Sequence, residues 1–417
     1  MNYFHLILGF AIFIIILIIL LTIYVKIKHR FWSNQPVFHV YSLRNWLFPK
    51  GIIDPELPKP NKFCDFFSVK TIRMRSAVNN PDDKKTETTS HIYLFSPELQ
   101  KHFIKFVRNN YLQTKIVKYS PNSNNVFPYF RYHNHPCYLT YNIEKFNDLS
   151  TISGYITSRP LEVWLNGVNI LVYYVDYLCV DKNKRKKGIA PKLIQTHIYH
   201  QRRKNTAVDI ILFKRETKLN LLVPLTIYIS YGFNLKYWKI PQNLQAGQKI
   251  LRITQDNMFF CREIMQNTAR SLFSCVVYPN SDNLLHLIET NNLIMYGLLL
   301  NKEIIAVYFF RNSCTTVNND KIVDCIGSIY NRFNVKTDTK INKRINKNIF
   351  ILGFHHCLFY LRKSGFTFIN IENISNNDCI IENILTKFTP NSISNTAYYF
   401  YNFAEQPKLS KDVLIIS

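Results

Sequence analysis

Between Tyr177 and Ile194 the sequence reads YLCVDKNKRKKGIAPKLI: an apolar run, a basic turn and the start of a helical pattern. Within it, Arg185-x-x-Gly188-x-Ala190 puts small residues where backbone N–H groups must approach a ligand, and Pro191 suits the first turn of the helix. Such a loop can hold a pyrophosphate, because unhindered amides and the positive end of the helix dipole converge on it. Coenzyme A suits that chemistry, but an ordinary basic strand-to-helix turn would carry the same residues, and the spacing leaves both open. Other reactive side chains read as structural. Cys179 lies in an apolar strand with no histidine close in sequence, which points to packing. His355-His356-Cys357 would point in different directions on a helix and have no partner cluster at ligand spacing, so no metal site is expected. The final residues, Val413-Leu414-Ile415-Ile416-Ser417, read by themselves as an apolar tail tucked into a core.

The loop needs a strand before it and a helix behind it, and the pattern supplies both. Two β-rich runs, Leu161 to Leu165 and Val168 to Val180, flank Asn166-Gly167, the pair that best tolerates the positive φ angles of a two-residue hairpin turn. After the basic stretch Asp181 to Gly188 come a helix from Lys192 to about Arg203 and a buried strand from Val208 to Phe213. The same order returns downstream: a hairpin of Ile304 to Phe310 with Ile322 to Tyr330, a basic linker, a helix from about Lys347 to Lys363, and a strand from Phe366 to Glu372. Two mixed α/β halves are therefore expected, without a repeat at the level of sequence. Lys340 to Asn348 reads as a solvated loop and Asn79 to Thr89 as an exposed one.

The chain has 417 residues, of which 47% are hydrophobic and 19% charged, which excludes a disordered tail and a small disulfide scaffold. A net charge of +25 favours anionic partners. Many of the charges sit in Lys/Asn/Ile-rich stretches, and the aromatic runs read as core, so no nucleic-acid partner is expected. Nine cysteines are scattered without a C-x-x-C pair, as in a reducing compartment. Leu6 to Val25 is 20 residues without a charge, long enough to cross the hydrocarbon core. A cleaved signal peptide is the competing reading, yet no basic region precedes the run and no small-x-small site follows it. Lys26, Lys28, His29 and Arg30 flank the span, and the positive-inside rule then puts the rest of the chain in the cytosol, as a single-pass membrane protein.

The strand, loop and Pro191 helix, with the later Tyr228-x-x-Tyr231-Gly232-Phe233, resemble the acetyl-CoA-dependent N-acetyltransferase (GNAT) superfamily. Within it the chain most resembles the glycylpeptide N-myristoyltransferase family. Phe31-Trp32-Ser33-Asn34-Gln35-Pro36-Val37 is similar to that family's Phe-Trp-x-x-Gln-Pro-Val, which wraps the acyl-CoA, and Tyr119-Ser120-Pro121 to its Tyr-Ser-Pro. Tyr177-Leu178-Cys179-Val180, followed by Lys182, Arg185, Lys187, Ala190 and Pro191, resembles its Phe-Leu-Cys-Val-His-Lys-x-x-Arg-x-Lys-Arg-x-Ala-Pro. Near the end, Lys387-Phe388 and Tyr398-Tyr399-Phe400-Tyr401-Asn402-Phe403 resemble its closing Lys-Phe and Tyr-Tyr-x-Tyr-Asn-Trp.

The resemblance implies a mixed α/β (α+β) fold of two pseudo-symmetric GNAT-like acyl-CoA N-acyltransferase halves. Residues 29–235 would form the acyl-CoA-binding half and 236–417 the acceptor half, behind a transmembrane signal anchor at 1–28 in a monomer. It implies myristoyl-CoA as co-substrate, held by Phe31, Trp32, Tyr177, Leu178, Cys179, Val180, Arg185, Lys186, Lys187, Gly188, Ile189, Ala190 and Pro191. By the same carry-over, the N–H groups of Tyr177 and Leu178 would hold the oxyanion, and the C-terminal carboxylate of Ser417 would take the proton of a protein's N-terminal glycine amine. The acceptor-side motifs differ. The family's acidic loop is missing between Tyr111 and Tyr119, Tyr228-Ile229-Ser230 replaces Tyr-Trp-His, Thr389-Pro390-Asn391-Ser392 replaces Gly-Ile-Gly-Asp-Gly, and Asp176 stands for Asn. An altered acceptor, a short-chain acetyltransferase acting on another amine, and a noncatalytic acyl-CoA binder are the alternatives.

Overall fold

The isoleucine- and leucine-rich N-terminus forms a single helix, α1 (Asn2–Lys28), apolar on all sides. In this computed structural model, which describes residues 2–49, 51–74, 95–114, 116–216, 219–318, 320–331 and 340–417, Ile7–Lys28 is long and apolar enough to cross a membrane, and none of that window is buried in the protein. Lys26 and Lys28 sit at its C-terminal end, where a cation complements the helix dipole. The expected loop Asn79 to Thr89 lies outside the described residues.

The described chain after Lys28 builds one fifteen-stranded sheet. Its strands in chain order are β1 (Val69–Met74), β2 (Val117–Tyr119), β3 (Cys137–Ile143), β4 (Ile152–Leu165), β5 (Val168–Val180), β6 (Ile210–Arg215), β7 (Thr226–Asn234), β8 (Gln248–Ile253), β9 (Cys275–Tyr278), β10 (Leu293–Leu300), β11 (Glu303–Val317), β12 (Asp320–Tyr330), β13 (Phe368–Glu372), β14 (Ser392–Tyr401) and β15 (Val413–Ile415). The longer helices after the anchor are α2 (Pro97–Asn110), α3 (Ile189–Lys204), α4 (Ser281–Glu289), α5 (Lys340–Lys363) and α6 (Asn377–Leu385).

The sheet has a near-symmetric order. From one end, β1, β3, β4 and β5 pair antiparallel, α3 then returns the chain, and β6 lies parallel to β5. From the other end, β8, β10, β11 and β12 pair antiparallel, α5 returns the chain, and β13 lies parallel to β12. A parallel pair needs such a crossover, which is why each hairpin is followed by a long helix. The final strands are exchanged: β7 pairs with β13, β14 pairs with β6, and β7 and β14 pair with each other at the centre. The chain boundary expected at 235/236 is thus crossed by five strand pairings of the sheet: these three, β9 with β4, and β11 with β2. β15 adds a further tie, running parallel to β9, which itself pairs with the end of β4.

Local expectations hold at the hairpin, where Asn166 has φ 48° and Gly167 φ 91°. They fail at Lys340 to Asn348, which forms the first turns of α5 and not a solvated loop. Ile341, Ile345 and Ile349 recur every fourth residue there, and lysine and arginine are good helix formers, so the charge run continues the helical stripe.

α3 packs closely on the sheet at Gly154, which pairs with Val180 at the end of β5. A Cβ there would lie 2.8 Å from Leu193 Cδ1 and 3.0 Å from the Cys179 carbonyl oxygen. Gly154→Val is therefore expected to destabilise the protein by about 1–3 kcal/mol, measured as a lower midpoint of thermal unfolding; an unchanged midpoint would mean that α3 can shift freely on the sheet.

Candidate active site

The parallel ladder of β5 and β6 runs from Val172 opposite Ile210 to Val175 opposite Phe213 and stops there, although β5 continues to Val180. On its other edge β6 pairs with β14 from Ile211 opposite Tyr401 to Arg215 opposite Ala397, so it stays in the sheet after its pairing with β5 has ended. The two strands therefore diverge. On its other side β5 carries a bulge against β4: Tyr155 faces Cys179 and Thr157 faces Asp176, so Tyr177 and Leu178 share one partner position. Tyr177 takes φ 48°, a left-handed conformation costing a bulky residue about 1–3 kcal/mol.

Packing holds that conformation in place. The buried Tyr177 ring lies 5.7 Å from Phe103, 6.2 Å from Phe130 and 5.4 Å from Tyr111, and its hydroxyl is 3.1 Å from that of Tyr119. The N–H of Tyr177 donates to Asp176 Oδ1 at 2.8 Å, and the Tyr111 hydroxyl points at the same oxygen from 3.4 Å. Leu178, by contrast, has an exposed side chain. Cys179 is buried, and burial pushes its thiol up to about 12 against the opposing pull of Arg185, which fits packing and not nucleophilic chemistry.

After β5, the C-terminus of α2 holds the basic loop. Asn110 accepts from Lys182 N through Oδ1 at 3.1 Å and from Arg185 Nη2 through its carbonyl at 2.9 Å. Arg185 is thus tied to a helix C-terminus, where its charge is favourable. Lys186 (φ 65°) and Gly188 (φ 77°) both turn left-handed, and Gly188 caps α3 without any side chain bonding to the first-turn amides. Nothing lies within 4 Å of where a Gly188 Cβ would be, and Lys186 and Lys187 are exposed beside it. The loop therefore presents free amides and positive charge to solvent, the requirement for a phosphate-bearing ligand.

Phe31 and Trp32 sit at the mouth of the divergence. Trp32 stacks on Phe213 at 5.7 Å, Phe213 stacks on Tyr399 at 5.4 Å, and Phe31 meets Phe63 at 5.2 Å. Val175 and Ile194 link this aromatic stack to Ile189 and Val180 at the head of α3. The segment is anchored by Gln35, whose Oε1 accepts from the Tyr401 hydroxyl at 2.8 Å. All thirteen residues expected to hold the acyl-CoA therefore lie on the segment 31–32, the end of β5, the loop or the first turn of α3, and two apolar clusters that share Val175 and Ile194 join those elements.

The tail follows from the symmetry. β15 is buried, and Gly327 of β12 makes room for it: a Cβ there would lie 2.8 Å from Leu414 Cδ1. Ser417 is buried too, with its carbonyl oxygen 3.4 Å from Arg311 Nη1 and its Oγ 3.3 Å from the Tyr398 hydroxyl. Arg311 Nη2 pairs with Asp324 Oδ2 at 3.0 Å, Lys214 pairs with Glu372 Oε1 at 2.6 Å, and Tyr228 donates to Glu372 Oε2 at 2.7 Å. Burial opposes the Arg311 charge, but Asp324 and Glu372 outweigh it and hold the guanidinium more firmly protonated than usual. Tyr129 connects this cluster with the bulge: burial pushes its phenol up to about 12, with Arg311 and Arg159 pulling down and Asp176 pushing up.

Sequence reasoning found the loop, the aromatic segment and the tail, but missed the Lys214, Arg311, Asp324 and Glu372 network. A signal was present for two of them, since Asp324 interrupts the apolar run in Val323-Asp324-Cys325 and Arg311 that in Phe309-Phe310-Arg311, whereas Lys214 and Glu372 lie at strand ends. The histidine pair is structural. His355 Nδ1 accepts from Trp238 Nε1 at 2.9 Å, whereas His356 Nε2 lies 2.8 Å from the Gln242 carbonyl oxygen. Among the described residues no group of three His, Cys, Asp or Glu side chains is arranged to hold a metal.

Neither a protein-family profile nor the sequence of a curated protein matches the chain. Solved structures do match it. Saccharomyces cerevisiae N-myristoyltransferase with bound myristoyl-CoA superposes with a TM-score of 0.68 at 13% identity, over 93% of this chain and 99% of that one. A structure of N-myristoyltransferase from the same organism with bound myristoyl-CoA and inhibitors gives 0.68 and 13%, over 94% and 95%. The likeness is one of fold.

Removing one partner from a buried ion cluster leaves charge without compensation. Arg311→Met should therefore cost about 3–5 kcal/mol of stability, seen as a reduced midpoint of chemical unfolding. A loss under about 1 kcal/mol, as for surface pairs, would show that the cluster is solvated.

Proposed function

We propose that the chain is a membrane-anchored acyltransferase of the GNAT-like kind, moving a long acyl chain, myristoyl in the first place, from coenzyme A to the N-terminal glycine amine of a protein. The observation that carries this reading is the divergence of β5 from β6 beside an uncapped helix N-terminus: one opening offers backbone donors at its depth and anion-binding amides at its rim. The fold likeness supports an acyltransferase; in this reading residues 29–235 take the acyl-CoA and 236–417 the acceptor.

In this reading the pantetheine arm lies along Val175 to Val180, the CoA phosphates meet the amides and lysines of 185–191, and Phe31 and Trp32 cover the acyl chain. The fit is chemical: an apolar stack leads inward and positive charge lies outward. The acceptor arrives largely as an ammonium, since an α-amino group has a pKa of about 7.7–8. The Ser417 carboxylate takes one proton, and the freed amine attacks the thioester carbon. The C–N bond forms and the C–S bond breaks, the carbonyl oxygen being held meanwhile by the N–H groups of Tyr177 and Leu178. The second proton on nitrogen leaves with the thiolate, giving amide and free CoA. Arg311 beside Ser417 holds the carboxylate in place.

The anchor α1, flanked by Lys26, Lys28, His29 and Arg30, would hold a cytosol-facing catalytic domain at an anionic leaflet, where acylated products belong.

The test uses the full chain in detergent with myristoyl-CoA, acetyl-CoA and peptides with free N-termini, read by mass spectrometry. Glycine-first peptides should gain a myristoyl group; transfer of acetyl alone would contradict the reading. Adding one alanine after Ser417 should lower transfer by about 100-fold or more, the usual worth of a general base, while myristoyl-CoA binding persists.

A further inference from the structure

Asp176 is the one feature of the opening that the reaction as written does not use. Its Oδ1 occupies the Tyr177 N–H, one of the two donors that the oxyanion needs. Its other hydrogen-bond partner is the Tyr111 hydroxyl, and among the described residues no cationic side chain pairs with it. Around it lie phenols that stay protonated. Tyr111, Tyr174 and Tyr177 are all pushed well above the usual phenol range, by burial first and with the Asp176 charge adding to it. The carboxylate's two hydrogen-bond donors are thus neutral, and Arg311, Arg159 and Lys214, which act on phenols around it, do not pair with it, a setting that favours an ammonium ion. A fixed negative charge at an oxyanion site also opposes the charge that must develop there.

We propose that Asp176 is an ammonium-binding group that gates the oxyanion site: without an acceptor it plugs the Tyr177 N–H, and an arriving ammonium draws it away. The inference rests on the acyl-transfer reading above and adds a regulation to it. With no amine present, the thioester meets a blocked, negatively charged site and resists attack by water. When the acceptor ammonium pairs with Asp176, the carboxylate is neutralised and the N–H is released. The proton then passes to the Ser417 carboxylate, the C–N bond forms, and CoA leaves as before. The gate explains why a left-handed, strained Tyr177 should have a carboxylate as its preceding residue. It also ties acyl-CoA reactivity to a charged primary amine.

Two substitutions separate plugging from ammonium binding. Asp176→Asn keeps an oxygen for the Tyr177 N–H and loses the charge; Asp176→Ala loses both. Using the full chain in detergent, both variants should raise the KM for a glycine-first peptide by about tenfold, the scale of one charge-assisted hydrogen bond. Asp176→Ala alone should hydrolyse myristoyl-CoA faster when no peptide is present, by about tenfold, a fraction of what one oxyanion donor is worth. Circular dichroism and myristoyl-CoA binding check folding, and if the alanine variant does not fold, the asparagine variant's KM still decides. Transfer by wild type with unchanged KM and hydrolysis in both variants overturns the gate alone. No turnover of any acyl-CoA by wild type overturns the acyl-transfer reading, and the gate with it.

Discussion

A strand that leaves its neighbour must do something with the backbone groups it exposes, and in this chain that constraint falls on β5 after Val175. The bulge at Tyr177 lets the strand keep its pairing with β4 on both sides of the irregularity, and the aromatic cage of Phe103, Tyr111, Tyr119 and Phe130 holds the left-handed residue in place. Helix α3, its uncapped N-terminus and the position of Trp32 on Phe213 all follow from where the two strands part. An opening built from backbone in this way needs no reactive side chain, which agrees with the inert, buried thiol of Cys179.

The exchanged strands explain why the second half is needed although the loop and bulge lie in the first. β14 flanks β6 on the edge away from β5 and keeps Lys214 and Arg215 in the sheet after the pairing with β5 has ended, so a strand from the far end of the chain forms one wall of the opening. The same return places β15 against β9 and brings Ser417 beside Arg311, through space left by Gly327. The Arg311, Asp324, Glu372 and Lys214 cluster then stiffens the seam between the halves with charges whose burial is balanced by mutual pairing.

Much of this was legible in the sequence, for identifiable reasons. The Asn166-Gly167 turn, the apolar run of α1 and the small residues at 188 and 190 are local signals, fixed by backbone geometry and hydropathy over a few residues. The exchange of β7 and β14 was not legible, because nothing in either strand's own pattern names its partner, which is set by packing across the whole sheet. The capture of the Tyr177 N–H by Asp176 depends on a single left-handed residue, which composition does not announce. Lys340 to Asn348 misled by its charge, although the spacing of its isoleucines is helical.

The central claim is that an acyl-CoA lies in the opening between β5 and β6, with its phosphates on the loop and its chain beneath Phe31 and Trp32. Amide hydrogen exchange of the full chain with and without myristoyl-CoA tests it most directly. Protection concentrated in residues 31–35 and 176–191 is the predicted result. Protection confined to the symmetry-related stretch around β12 and α5, or no protection at a saturating concentration, would contradict the account.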